Sequence, residues 1–412
     1  MKHDNKFPPE RSVAQSKDVS KIPFRLRRKN LASAQRGIHL ERRIFCFILI
    51  LLLATLACGQ SVPATPFPIP ESSIFDTGNT QYGFFPSPPE ATLDSILKHY
   101  KSMGKHADFV LFQHAIPWED FVKGAECESQ KCTDIRNQMT LARGNDLDAI
   151  YIVDPLNGLN RREFMGLPSG WENSFANPDV RMAFTNYTLW LVRDFRPRYL
   201  GLASEINTYL DAHPEDAPNY ISLYHSVYAL VKVEAPETQV FVTFQWEDLN
   251  NLWAAAAEGR AAYDTNWDQM EAFEPNLDVW AISSYPFAAF ASGTDIPPDY
   301  YTSLLSRTSK PLAVAEGGFT SRAKPPFPGD EGSQVDYLYA IHEQLGGERL
   351  KFWVYLLLND FNMDSYTKMM RQQGLSEDNI TSLGMFESVG LREFDGSPKP
   401  AMEIWDSFRT AK

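Results

Sequence analysis

The sequence repeats one pattern eight times: a short apolar run, a polar loop and a stretch with helical periodicity. The runs are rich in β-branched and aromatic residues, which favours strands, and they begin about 38 residues apart. That spacing accommodates one strand, one helix and their two loops. We predict strands at 82–85, 108–112, 148–153, 199–204, 240–244, 278–284, 311–315 and 351–357.

The predicted strands are apolar on both faces, which is typical of parallel strands covered by helices. Alternating strands and helices can build an open sheet or a closed barrel. Open sheets of this kind usually carry a glycine-rich nucleotide loop after the first strand, and residues 83–87 (Gly-Phe-Phe-Pro-Ser) form none. Eight units therefore favour a single (β/α)8 TIM barrel, which we place at residues 77–412.

Polar and acidic residues follow the predicted strands, at the end of the barrel where such folds carry their active sites. Two glutamates, Glu205 and Glu316, end the fourth and seventh strands. Glu247, after the fifth strand, is a rival candidate for an acid. We expect substrate contacts from other side chains at strand ends, namely His114, Asp154, Asn207, Trp246 and Asp360.

Two carboxyl groups facing each other across a barrel mouth suit the cleavage of a glycosidic bond. One protonates the leaving oxygen, and the other stabilises or captures the oxocarbenium-like carbon. The mutual repulsion of two such groups separates their pKa values, so that one serves as the acid. This chemistry needs no cofactor and no metal, and we predict neither.

Several segments together resemble glycoside hydrolase clan A. Residues 310–319 (Lys-Pro-Leu-Ala-Val-Ala-Glu-Gly-Gly-Phe) resemble the strand of that clan that carries the nucleophile. Residues 279–287 resemble its sixth strand, and residues 390–401 resemble its closing segment. The resemblance covers about residues 80–410, and the segment lengths are most similar to those of galactanases and mannanases.

The resemblance implies a retaining mechanism with Glu316 as nucleophile and Glu205 as acid/base. It also implies that Tyr285 bonds to the nucleophile and that Trp353 forms an aromatic platform under the sugar. One departure concerns the residue before the acid/base glutamate, which is usually Asn in this clan and is Ser204 here. By position, Asn207 or Gln245 is the candidate to replace the hydrogen bond that this Asn supplies.

We predict a retaining endo-β-glycanase that acts on extracellular polysaccharide. The competing hypothesis is an inactive, glycan-binding TIM-barrel lipoprotein, and Ser204 is the feature that supports it. Residues 58–412 carry 27 basic and 48 acidic residues, a formal net charge near −21. So acidic a chain argues against nucleic acid or an anionic lipid surface as partner.

The N-terminus predicts export. Residues 1–57 contain 12 Lys and Arg against 4 Asp and Glu and end in a mainly apolar run of 14 residues, 44–57. A basic segment followed by a short apolar run is typical of a secretory signal. Arg42-Arg43 at its start also resembles a twin-arginine signal.

Cys58 follows this run directly and resembles the lipidated cysteine of bacterial lipoproteins, although Thr55 and Leu56 depart from the usual motif. Lipid anchoring at the cell surface is our prediction, with ordinary signal cleavage and secretion as the alternative. Residues 58–76, rich in Pro, Ser and Thr, are interpreted as a tether between anchor and barrel. The anchor would be the protein's only contact with the membrane.

Two cysteines lie within the barrel sequence, Cys127 and Cys132, separated by four residues in a polar segment. In an oxidising compartment they predict a disulfide that closes a small loop.

Overall fold

The computed structural model describes residues 80–158, 160–253, 260–372 and 377–410. The predicted leader (1–57), the tether (58–76) and Cys58 lie outside these residues. Over the described ranges, no helix combines the length and apolarity needed to cross a bilayer.

Nine strand segments form one sheet in which every pair of neighbours is parallel. We count Gln239–Phe241 and Thr243–Gln245 as two halves of β5, because only Val242 separates them. The barrel strands are β1 (Gln81–Phe84), β2 (Phe109–Ala115), β3 (Asp148–Asp154), β4 (Tyr199–Gly201), β5, β6 (Trp280–Ser284), β7 (Leu312–Gly317) and β8 (Leu350–Tyr355).

The two edges of the sheet are these two halves of β5. The first half pairs with β4 and the second with β6, while β1 pairs with β8. The sheet therefore forms a nearly closed barrel, and each of the eight predicted strand positions is confirmed.

Helices connect successive strands and cover the outside of the barrel. The α-helices are Leu93–His106, Trp118–Phe121, Gln130–Arg143, Pro178–Phe195, Ile206–Ala212, Ala217–Glu234, Trp246–Leu249, Trp267–Glu271, Thr302–Arg307, Glu331–Leu345, Met363–Gln372, Glu377–Ser382 and Pro400–Thr410. Short 3-10 helices occur at Pro286–Ala288, Gly293–Asp295 and Leu383–Glu387.

The alternation of side chains along β8 separates the barrel interior from its outer layer. The Phe352 ring lies 4.9 Å from that of Tyr199 on β4 and 5.5 Å from that of Phe241 on β5, so it fills the interior. Trp353, one residue later, packs instead on Trp405 of the C-terminal helix Pro400–Thr410. Successive strand residues point to opposite faces, and this parity decides which polar residues can reach the site.

Two β-hairpins interrupt the strand and helix repeat after β3 and β7. The first hairpin pairs Leu156–Asn157 with Asn160–Phe164, and the second pairs Arg322–Lys324 with Phe327–Asp330. Both follow C-terminal strand ends, so the first hairpin brings Arg161 to the mouth of the barrel.

The predicted disulfide is confirmed. Cys127 and Cys132 are bonded, with their Cα atoms 6.1 Å apart. Cys132 lies in the first turn of the helix Gln130–Arg143, whose N-cap is Ser129. The bridge therefore fixes the entry of the chain into that helix.

Candidate active site

Glu205 lies where the chain leaves β4 and enters the helix Ile206–Ala212. Its backbone has a φ of 51°, a left-handed conformation that residues other than glycine seldom adopt. The Thr243 hydroxyl accepts a hydrogen bond from the Glu205 backbone N–H at 2.7 Å. Such a conformation costs on the order of 1–3 kcal/mol and is typical of functional positions.

Both carboxylate oxygens of Glu205 accept hydrogen bonds. Oε1 accepts from the Ser283 hydroxyl at 2.5 Å, and Oε2 accepts from Nε of Arg161 at 3.1 Å. The side chain is fully buried. Burial raises the pKa of Glu205, while the adjacent Arg161 and the Ser283 hydroxyl oppose that rise.

Glu316 lies within β7, and its carboxylate is also buried. Oε1 accepts a hydrogen bond from the Tyr285 hydroxyl, which follows the end of β6. Oε2 has no hydrogen-bond partner among the described residues. Burial, together with the negative charge of Glu205, raises the pKa of Glu316 to about 8.

The two glutamates converge across β6. Ser283, which donates to Glu205, is the register partner of Glu316 in the neighbouring strand. Both groups are buried, so water screens the charge of Glu205 very little, and that charge raises the pKa of Glu316. The ionisation of the two carboxyl groups is therefore coupled, because the charge of Glu205 disfavours that of Glu316.

A buried cation completes the cluster. Nη1 of Arg161 forms an ion pair with Oδ2 of Asp154, and the same oxygen accepts from Nε2 of Gln113 at 2.8 Å. Arg161, Asp154 and Glu205 are each at most 3% exposed. Asp154 thus belongs to the site, as expected from its strand end, but its role is to hold Arg161 and Gln113.

Glu247, the rival acid, lies outside this cluster and is saturated with donors. Its carboxylate accepts hydrogen bonds from Gln245, from the hydroxyls of Ser284 and Tyr300, and from the backbone N–H of Tyr285. Burial raises its pKa. These contacts fix the start of the segment that carries the Tyr285 side chain.

The expectation that Trp353 forms a sugar platform is wrong. Its side chain is fully buried, and its ring lies 5.2 Å from that of Trp405 and 6.0 Å from that of Tyr82. Parity explains the result, because Phe352 occupies the interior and Trp353 must then face the outer helices.

His114 is displaced for the same reason. Its Nε2 pairs with Oε1 of Gln138 on the helix Gln130–Arg143 at 2.9 Å, and its ring stacks on Phe112. Burial lowers the pKa of His114 to about 4, so the ring is neutral. Its neighbour Gln113 is the residue of β2 that reaches the site.

Asn207 joins the segment after β4 to the end of β5, and Trp246 packs on side chains that follow β5 and β6. Trp246 is fully buried between the rings of Trp267 and Tyr301. The Asn207 amide donates to the carbonyl of Gln245, and its oxygen accepts from the Gln245 backbone N–H at 2.8 Å. Both expectations of a substrate contact are therefore wrong.

Asp360 binds the closing segment of the barrel, residues 390–401, at two points. Its Oδ2 lies 2.6 Å from Nζ of the buried Lys399, and its Oδ1 accepts from the backbone N–H of Gly390 at 2.7 Å. Burial raises the pKa of Asp360 to about 7 against the opposing effect of Lys399. The predicted contact with substrate is replaced by this buried ion pair.

One group of side chains in the described residues has ligand atoms close enough together for a metal: Asp120, Cys127 and Cys132. The two cysteines form the disulfide, so their sulfur atoms are not thiolates. This cluster is explained without a cation.

Sequence reasoning missed Arg161 and Ser283. Arg161 lies in a hairpin that the repeat of strands and helices does not predict. Ser283 lies within β6, two residues before Tyr285. The Ser283 side chain binds Glu205, and the Tyr285 side chain binds Glu316. The period of two along β6 was the signal that could have identified Ser283.

No family model matches the sequence, and no curated protein is significantly similar to it. Solved structures do share the fold. An exo-β-1,4-mannosidase from an Opitutaceae bacterium superposes with a TM-score of 0.55 at 15% identity, covering 82% of this chain and 62% of that one. The chain thus spans less than two thirds of that neighbour's length.

Two further neighbours are GH5_18 proteins. That of Bifidobacterium longum subsp. longum has a TM-score of 0.57 at 14% identity and covers 81% of this chain and 79% of its own. A variant from Streptomyces cattleya, solved in complex with Manβ1-4GlcNAc, has a TM-score of 0.55 at 15% identity. The match covers 81% of this chain and 82% of that one. These likenesses establish the barrel fold that the clan resemblance implied.

Proposed function

We propose that this protein is a retaining glycoside hydrolase with Glu316 as nucleophile and Glu205 as acid/base. The observation that carries the proposal is the convergence of these two buried carboxyl groups on the Ser283 and Tyr285 side chains of one strand end. Two solved neighbours, one named an exo-β-1,4-mannosidase and the other a GH5_18 protein, share the barrel that presents the pair.

The free oxygen of Glu316 suits it to nucleophilic attack. Tyr285 holds Oε1, while Oε2 has no protein partner among the described residues and can form the bond to the anomeric carbon. Glu205 protonates the departing glycosidic oxygen and then, as a carboxylate, activates the water that releases the sugar.

We further propose endo action on an extracellular β-glycan. The segment lengths, similar to those of galactanases and mannanases, support endo action, whereas one solved neighbour is named an exo-mannosidase. The sizes of products released early from a long β-mannan or β-galactan distinguish the two modes. A ladder of oligosaccharides supports endo action, and monosaccharide alone contradicts it.

Export and anchoring through Cys58 are proposed on the sequence of residues 1–58. Metabolic labelling with a fatty acid, compared between the parent and Cys58→Ser, tests this proposal. Label and membrane association in the parent that the variant loses would support it. Equal membrane association of both proteins would contradict it.

The activity is tested with the full chain on β-mannan, β-1,4-galactan, other β-glycans and Manβ1-4GlcNAc, which a neighbour binds. Glu316→Gln and Glu205→Gln are compared with the parent, and Glu343→Gln, an exposed glutamate, is the matched control. We expect turnover by the parent and the control, and a loss of at least about 100-fold in both site variants. Turnover that survives Glu316→Gln would contradict the assignment.

A second candidate is a glycan-binding protein without turnover. Ser204 supports it, because its hydroxyl lies 3.3 Å from that of Thr243 and leaves the position of the clan's Asn without an amide. Calorimetric binding of a glycan, with no hydrolysis by parent or variants, would favour this candidate over the hydrolase.

A further inference from the structure

Arg161 is a buried cation that binds Glu205 directly, and its charge also acts on Glu316. Its guanidinium donates to Glu205 through Nε and to Asp154 through Nη1. Side chains of Arg161, Asp154 and Glu205 are at most 2% exposed, so water screens these contacts very little. A charged contact in such surroundings orients and stabilises its carboxylate strongly.

The usual amide before the acid/base glutamate is absent, and the two expected replacements are occupied. Asn207 is bound to the chain at Gln245. The side chain of Gln245 donates to Glu247 and accepts from the backbone N–H of Asp248. Neither is available to hold Glu205 or a sugar hydroxyl.

Two polar atoms on side chains that bind Asp154 have no hydrogen-bond partner among the described residues. They are Nη2 of Arg161, a donor, and Oε1 of Gln113, an acceptor, and both are buried. Both side chains also bind the same oxygen, Oδ2 of Asp154, which holds them together at one carboxylate. Buried polar groups are seldom left unpaired without a functional reason.

We propose that Arg161 is a positioning residue for Glu205, holding its carboxylate in place and favouring its charged form. The free Nη2 of Arg161 and the free Oε1 of Gln113 bind one hydroxyl of the sugar. The second statement rests on the proposed function, whereas the first can be tested without turnover.

The arrangement matches the second half of a retaining reaction. There Glu205 must be a carboxylate that removes a proton from water, and Arg161 stabilises that charge. In the first half Glu205 must carry the proton, so Arg161 sets the upper pH limit of that step. The ionisable groups that act on Glu205 are Arg161 from the first hairpin, Asp154 from β3, Glu316 from β7 and Tyr285 after β6.

The ionisation of Glu205 is measured directly by NMR titration of the full chain labelled with ¹³C at glutamate carboxyl groups, with Glu205→Gln to assign the signal. In Arg161→Met we expect the Glu205 midpoint to rise by about one pH unit or more, since an adjacent cation shifts a carboxyl by that amount. Arg161→Lys keeps the charge and should stay within about half a unit. An unchanged midpoint in Arg161→Met would overturn the positioning role.

Arg161→Met leaves Asp154 buried without its cation, so Asp154→Asn with Arg161→Met is prepared as a second variant that removes both charges. Arg162→Met, in the same hairpin, is the matched control. The charge of Asp154 raises the pKa of Glu205, so we expect a smaller rise of the Glu205 midpoint in the double variant than in Arg161→Met, and none in the control. A Glu205 midpoint in Arg161→Met equal to that in the Arg162→Met control would contradict the proposal.

The hydroxyl contact is tested with monodeoxy analogues of the best ligand from the glycan panel. We expect one missing hydroxyl to reduce kcat/KM of the parent by about tenfold or more, and by much less in Arg161→Met. If the parent binds without turnover, the same comparison is made on Kd, and the proposed hydrolase function alone has failed. An equal loss of kcat/KM, or of affinity, in the parent and in Arg161→Met would contradict the proposed contact between Arg161 and the sugar hydroxyl.

Discussion

The Tyr285 hydroxyl donates to Oε1 of Glu316 and leaves Oε2 of that carboxylate without a partner in the described part of the chain. A carboxylate held by one oxygen has its other oxygen free for chemistry, in a fixed orientation. Glu247, which binds four donors, has no such free position. The free oxygen supports Glu316 as nucleophile, and the four donors give Glu247, the rival candidate for the acid, a structural role.

Tyr285→Phe should slow turnover and narrow the pH range of activity. The Tyr285 hydrogen bond lowers the pKa of Glu316, so its loss raises that pKa further and leaves less nucleophile at a given pH. We expect kcat to fall about 10- to 100-fold, and the acidic limb of the kcat/KM profile to move to higher pH. Tyr228→Phe, remote from the pair and bonded to Asp278, is the control. An unmoved acidic limb would contradict the role of Tyr285.

Glu316 should make folding less favourable as the pH rises. Its folded pKa of about 8 exceeds the ordinary value of 4.5, so between these values the folded state binds a proton that the unfolded state has lost. The unfolding free energy contributed by Glu316 is therefore greatest below pH 4.5 and falls by up to about 1.4 kcal/mol per pH unit towards pH 8.

Urea denaturation of the parent and of Glu316→Gln between pH 5 and 8 measures this contribution. The variant should gain stability relative to the parent as the pH rises, because it has no proton to lose. A constant difference between the two proteins over that range would show that Glu316 keeps an ordinary pKa.

Trp353→Phe should affect stability and leave substrate binding alone. The indole packs against Trp405 and Phe408 behind the barrel wall, so truncating it leaves a cavity there. We expect a loss of about 1–3 kcal/mol in unfolding free energy with KM unchanged. A severalfold rise in KM at unchanged stability would contradict this prediction and support Trp353 as the aromatic platform that the clan resemblance implied.

Replacing both Cys127 and Cys132 by Ser should lower the unfolding free energy by about 2 kcal/mol, because the bridge closes only a short loop. Reduction of the parent should give the same loss, and activity should be retained in both cases. A loss of activity at unchanged stability would show that the bridge acts on the site instead.

The sequence predicted what depends on local patterns. The eight apolar runs gave the barrel, and a glutamate after an apolar strand gave Glu205 and Glu316, because strand ends in a parallel barrel meet at one face. Trp353 and His114 were misplaced by one residue, since an all-apolar strand does not reveal which parity faces inward. Arg161 depends on a tertiary contact made by an irregular hairpin, and no local pattern predicts it.

The central claim is tested most directly by trapping the covalent intermediate. The full chain is incubated with an activated 2-deoxy-2-fluoro glycoside of the sugar that it cleaves, digested, and mapped by mass spectrometry. We predict one glycosyl group per chain on the peptide that contains Glu316, and no label in Glu316→Gln. A label on Glu205 or on another residue, or steady turnover of natural substrate with no trapped species, would contradict the proposed pair.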